Sequence, residues 1–442
     1  MTVKLKKRLS GVLCVAAASS LLAACGSSGD SATEVEHGFV ISNATIVDTR
    51  DGSLQQGRTI VVDGGKIQTI TSERVRATGA AQEVDASGKY VVPGYIDMHT
   101  HVMEAIDLQP NFFPLMIANG VTAFRDQDLA SEERGAQLNA DSAAGLVDAP
   151  EAIFAGGEAH LNPAESTFDA SNRGMPYIDH LGAGMGLLVD CSTQAQDIRT
   201  EFLAQGYRPS GINMAHFILN PRAYDGNQNA RFYQRVLDTY DENTCEALSQ
   251  AFVHNGTWQI PSLIRLRTQD WGNDPLYRQD PNLIYVEGSR RANWNEVGDM
   301  FSALPADAVT TLQNYYELQK RATLLMQRSG VKVLSGSDIG GIWLIAGFSL
   351  QQEFQELAAA GLSPLEVLQT TTLNPAEFLN RQASMGTVEE GKNADLVLLD
   401  ANPLDSVDNL AKIDGVFLKG RYFSKADLEE LKRGVADAYA NQ

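Results

Sequence analysis

Basic residues are scarce in this 442-residue chain: 35 Lys and Arg stand against 55 Asp and Glu, for a formal net charge of -20. Four of those cations, Lys4, Lys6, Lys7 and Arg8, crowd the start, and without them the -20 becomes -24. No basic patch is left to offset phosphate charge, which argues against a nucleic-acid partner. Lysine is missing altogether between Lys89 and Lys320. Cysteine is also scarce: Cys14 and Cys25 lie near the start, and neither Cys191 nor Cys245 has metal-site spacing. Long apolar runs are lacking too, since Gly11 to Ala24 is too short to span a bilayer as a permanent helix. There is no internal repeat and no low-complexity tract beyond a small, polar stretch at 26–32.

What is present at the start is a positive end followed by that apolar run, the pattern of a signal peptide. The run closes on Leu22-Ala23-Ala24-Cys25, which resembles the lipobox of bacterial lipoproteins. The resemblance implies a signal peptide over 1–24, lipidation of Cys25, and a tether over 25–37. It also implies a place in the cell envelope, anchored to the membrane through lipid and facing the periplasm or exterior. In that oxidising setting Cys191 and Cys245 could pair, or stay as two separate buried thiols; the sequence leaves both open.

The 418 residues that follow the signal suffice for one large barrel and a smaller domain. From 38 to 92 short alternating runs such as Val40 to Val47 and Thr59 to Val62 are punctuated by Asp51-Gly52 and Asp63-Gly64-Gly65, which reads as β. The same texture returns over 379–442, at Ala394 to Leu399 and Val416 to Leu418, and suggests one small β-sandwich domain built from both ends. The stretch after Ser424 reads as a helix with a capping box formed by Ser424 and Asp427. Between them, over 93–378, apolar strands alternate with helical segments, the pattern of βα units. Helices are expected from Leu312 to Arg328 and from Leu350 to Ala360, the latter ending at Gly361.

Two strings carry chemistry. Pro93-Gly94-Tyr95-Ile96-Asp97-Met98-His99-Thr100-His101 places two imidazoles at i and i+2 of a strand end, on one face, as a divalent-metal chelate requires. Val331 to Asp338 is an apolar strand delivering an aspartate at its C-terminal end, where barrel enzymes keep their catalytic groups. Taken alone, an isolated His-x-His is weak, and the aspartate would more often cap a helix.

With these strings go Ala118 to Thr122 with Arg125-Asp126, Asn255 to Leu263, Thr371 to Ala376 and Gly386 to Val397. Together they resemble the amidohydrolase superfamily, in its prolidase- and imidazolonepropionase-like branch, over most of the chain. The resemblance implies an α/β fold, a (β/α)8-type TIM barrel with the terminal sandwich domain. It implies a divalent metal, typically zinc, held by the first-strand His99 and His101 and the eighth-strand Asp338. Histidines from strands five and six should complete the site: His180, from Tyr177-Ile178-Asp179-His180-Leu181-Gly182, fits strand six, and His160 has the spacing for strand five. His216 and His254 form a rival pair by spacing without matching neighbours, and His37 precedes the barrel.

The chain departs from that pattern in one respect. Relatives bridge two metals with a carboxylated strand-four lysine, and no lysine is available here. Only 79 residues separate His101 from His180, against about 150 for five βα steps at ordinary lengths. A segment around strand four is therefore absent or unrecognisable, and the expected centre holds one ion rather than two, unless a carboxylate such as Glu158 replaces the bridge. The expected activity is hydrolysis of an amide-like C–N bond in a small molecule or dipeptide, with Asp338 moving the proton. Alternatives are a mononuclear deaminase or ring-opening hydrolase, and a non-catalytic lipoprotein that keeps the scaffold for binding.

Overall fold

The computed structural model describes residues 32–105, 111–127, 132–154, 165–182, 186–204 and 226–440. Expectations for Cys25, His160, Glu158 and His216 lie outside these residues. Among the described residues no helix is long and apolar enough to cross a membrane.

Strands from both ends of the chain form one eight-stranded sheet. Its order runs from Arg421–Ser424 through Ile413–Leu418, Leu396–Leu399, Tyr90–Pro93, Phe39–Val47 and Leu54–Asp63 to Lys66–Thr71, with Gln82–Asp85 pairing off Phe39–Val47. The seam between the two ends is the antiparallel pairing of Leu396–Leu399 with Tyr90–Pro93, Val397 opposite Val92. Alternating residues bury one face in a cluster including Ile41, Ile46, Ile60, Val91, Leu396, Leu398 and Phe417, as a half-buried strand period demands.

The seam strand runs through a single residue, Gly94, into the first barrel strand, Tyr95–Thr100. A side chain there would sit 2.2 Å from Thr122 Oγ1, so the joint needs glycine for lack of space. Tyr95–Thr100 pairs in parallel with Val121–Asp126, which pairs in parallel with Glu151–Ile153. On the other side Met98 N donates to Ser335 O and Asp338 N donates to His99 O, both at 2.9 Å, which places the 331–339 segment beside the first strand. That segment meets Trp258–Ile260 through the Gln259–Val333 bridge, and Trp258–Ile260 pairs in parallel with Tyr177–Asp179.

Ile96, Met98, Ala123, Ile153, Tyr177, Ile260 and Leu334 form one apolar cluster. Six chain segments contribute to it. Between Ile153 and Tyr177 the described residues contain the helix Thr167–Asn172 and no strand. The mixed α/β architecture expected from the sequence is present, and residues 155–164 of this connection lie outside the described residues.

The outer helices follow their local signals. Ala306–Ser329 ends on Gly330 and Phe348–Ala360 on Gly361, both glycines left-handed as helix C-caps require. Lys425–Tyr439 begins with the Ser424–Asp427 capping box. Tyr277 stacks on Trp343, which also contacts Trp294; all three are buried. Cys191 and Cys245 form a disulfide, joining the end of Leu187–Asp190 to helix Glu242–Asn255 across 54 residues of sequence. Cross-linking a loop of that length restricts the unfolded chain. Replacing both cysteines with alanine should therefore lower unfolding free energy by about 2–4 kcal/mol, read from urea midpoints and slopes together.

Candidate metal centre

The site lies where the first and last barrel strands meet at their C-terminal ends. Asp97, two residues before His99, is buried, and its Oδ1 accepts from Ser337 N at 2.9 Å while its Oδ2 accepts from Ser337 Oγ at 2.5 Å. This clasp fixes the 331–339 segment in register with the first strand. Gly336 makes the approach possible, since a Cβ there would lie 2.5 Å from His99 Cβ. Burial raises the Asp97 carboxyl to about 6, with the Ser337 bonds working against the rise.

Three side chains converge above the clasp. His99, His101 and Asp338 are buried, and one ligand atom from each lies within 4.8 Å of the others. Asp338 Oδ1 is 3.1 Å from His101 Nε2 and 3.4 Å from His99 Nε2. It is a buried oxygen with no hydrogen bond among the described residues. A buried carboxylate oxygen this close to two ring nitrogens is an arrangement that a cation among them would satisfy, and nitrogen and oxygen ligands suit a divalent transition metal. The donor set fits such an ion.

His180 borders this trio. Its Nε2 is 3.6 Å from Asp338 Oδ2, and its ring centroid is 4.4 Å from that of His99. Burial pushes the imidazole down to about 4 against the pull of Asp338, so it is neutral, the form in which an imidazole can bind metal. Burial would raise the Asp338 carboxyl, but His180, His101 and His99 outweigh it and hold it well below the ordinary carboxylate range. Burial likewise opposes charge on His99, yet the Asp179 and Asp338 carboxylates raise it. The two carboxylates therefore favour positive charge at the His99 ring itself.

The sequence reading did not single out three further neighbours. Asp179 Oδ1 is 2.9 Å from His99 Nδ1, and Gln127 Nε2 is 3.2 Å from the same nitrogen. Arg265 Nε is 3.0 Å from Asp338 Oδ2. Asp179 was visible as the partner of His180 in its string, and Gln127 as the residue after a strand end. Arg265 had no local signal. His180, Ser262 and Asp338, at the ends of three adjacent barrel segments, all adopt left-handed backbone with φ of 52°, 46° and 54°. Such conformations cost about 1–3 kcal/mol each and gather at functional sites. His254 is exposed at the end of helix Glu242–Asn255, and His37 is exposed before the first long strand, so neither joins the site.

Comparison with known proteins follows the same lines. Residues 319–422 match the model of the amidohydrolase family. The chain is 21% identical over 368 residues to an imidazolonepropionase of Thermoplasma volcanium, covering 78% of this chain and 85% of that protein. A stretch of 84 residues is 36% identical to an adenine deaminase of Listeria welshimeri, covering 19% of this chain and 14% of that protein. Among solved structures, a bottromycin amidohydrolase aligns with a TM-score of 0.62 at 18% identity, over 90% of both chains. A Xaa-Pro dipeptidase with bound methionine in its active site aligns at 0.55 and 16% identity, over 88% of this chain and all of that one. The solved structures show a fold like theirs, which is TIM-barrel-like, and the family match is confined to residues 319–422.

Removing the Ser337 hydroxyl leaves one Asp97 oxygen buried without its donor. Ser337→Ala should cost about 1–3 kcal/mol of stability, measured by chemical denaturation of the metal-free protein. A change within error would mean the clasp does not hold the strands together.

Proposed function

We propose that the protein is a metal-dependent hydrolase of amide-like C–N bonds, acting on a dipeptide or a small cyclic amide. The observation that carries this reading is the buried convergence of His99, His101 and Asp338 at the C-terminal ends of the first and last barrel strands. The family match over 319–422 and the amidohydrolase and dipeptidase likenesses of fold support it.

His99, His101 and Asp338 would hold one divalent ion, zinc by donor type, with His180 at the edge of the same cluster. When bound, such an ion lowers the pKa of water toward neutrality and polarises a carbonyl oxygen. Asp338 would receive the proton of the attacking water on its carboxylate. It then delivers that proton to the leaving nitrogen as the C–N bond breaks, so the carboxylate is restored each turn. Buried walls around the trio exclude competing water and strengthen every charge interaction within it.

A second reading, a mononuclear deaminase or ring-opening hydrolase, is favoured by the stretch similar to an adenine deaminase and by the absence of a lysine for bridging. The same residues would serve it, with an amidine-like carbon as the electrophile. The third reading, a non-catalytic binding scaffold, draws on the short connection between Ile153 and Tyr177. For location we propose a lipid anchor at Cys25 in the cell envelope, on the lipobox pattern alone; Cys25→Ala should release the protein from the membrane fraction.

The purified protein should contain about one tightly held ion per chain, and the His99→Ala/His101→Ala variant should contain none. Metal analysis after zinc supplementation checks this, and an empty wild type would favour the scaffold reading. Against a panel of dipeptides, cyclic amides and aminopurines, Asp338→Asn should lose at least about 100-fold in turnover. An unchanged rate would remove Asp338 from the chemistry.

A further inference from the structure

Asp338 presents two unlike oxygens. Oδ1 faces the His99 and His101 ring nitrogens, while Oδ2 is 3.0 Å from Arg265 Nε and 3.6 Å from His180 Nε2. Arg265 and Asp338 are 3% and 2% exposed, so their ion pair sits away from bulk water. The guanidinium is delivered by helix Leu263–Asp270, which starts directly from the left-handed Ser262 at the end of Trp258–Ile260. That start is fixed from outside: buried Glu353 accepts from Ile264 N at 2.7 Å. Farther along, Arg265 Nη1 reaches Thr268 Oγ1 at 3.5 Å within the same helix.

An arginine in this position keeps its charge under all ordinary conditions, and its planar fork fixes the carboxylate it meets. A divalent ion brought to the Oδ2 side, beside His180, would meet that fixed positive charge at close range where water cannot screen it. The chain also has no lysine between Lys89 and Lys320 to bridge two ions.

We infer that Arg265 stands as a permanent internal cation where a second metal ion would otherwise bind, so that the centre holds one divalent ion, through Asp338 Oδ1. Arg265 is a positioning residue: it turns a carboxylate that could serve two ions into a ligand for one. The inference rests on the metal-site reading proposed above and adds the device that sets its stoichiometry.

Zinc titration with equilibrium dialysis and metal analysis, on the full chain, tests it. The wild type should saturate at about one zinc per chain even in excess, Arg265→Gln at about two, and Arg265→Lys again at about one. Adding His180→Gln to Arg265→Gln should return the count to about one, because the second ion would need that imidazole. Near-ultraviolet circular dichroism reports whether each variant is folded, and Arg265→Ala takes the place of the Gln variant if Gln is not tolerated.

A wild type that takes up two ions, or a folded charge-removed variant that still stops at one, would overturn the role of Arg265 and leave the metal centre standing. A wild type that takes up none would overturn the metal-centre reading and this inference with it.

Discussion

The pairing of Tyr95–Thr100 with the 331–339 segment is the constraint on which the site depends. His99 and Asp338 are far apart in the chain, and no local preference could bring them together. The hydrogen bond from Asp338 N to His99 O and the two hydrogen bonds that Asp97 accepts from Ser337 do so. Because Asp97 is buried, breaking its contacts would leave a desolvated carboxylate, and a register slip of one residue would turn the histidines away. The histidine pair and the aspartate thus owe their convergence to backbone pairing reinforced by one carboxylate.

The local parts of this arrangement were legible in the sequence. His-x-His after Pro-Gly and an apolar run announces itself, because the strand period places both rings on one face. Asp338 was readable as the end of an apolar strand, and the glycines after the helices marked their ends. Matching β texture at the two ends of the chain was visible before the pairing of Val92 with Val397 showed how it closes. The shortfall of residues between His101 and His180 was plain arithmetic, and its structural counterpart is a stretch with one helix and no strand among the described residues.

What stayed hidden depends on distance through space. Cys191 and Cys245 offered a pairing and a non-pairing reading with equal right, because spacing along a chain does not give the separation of two Cα atoms. Arg265 follows Pro261-Ser262-Leu263 with nothing to distinguish it from a surface arginine. Only the path of the helix that carries it shows that its head group is buried against Asp338. Tyr277 and Trp294 likewise come together only in space. They pack around Trp343, whose own place is set by the loop that follows Asp338.

The pairing of Leu396–Leu399 with Tyr90–Pro93 has a consequence for the order of events during synthesis. Phe39–Val47 and Leu54–Asp63 can zip into a hairpin as soon as both have emerged, since little loop entropy opposes them. The strand leading into the histidines can pair early with Phe39–Val47, but its other edge waits for a partner more than three hundred residues downstream. Such non-local pairing is slow to nucleate. An unfinished polypeptide therefore carries its two leading imidazoles without the carboxylate that completes the trio. The trio is thus a product of late synthesis, deferred until the segment that carries Asp338 has been made.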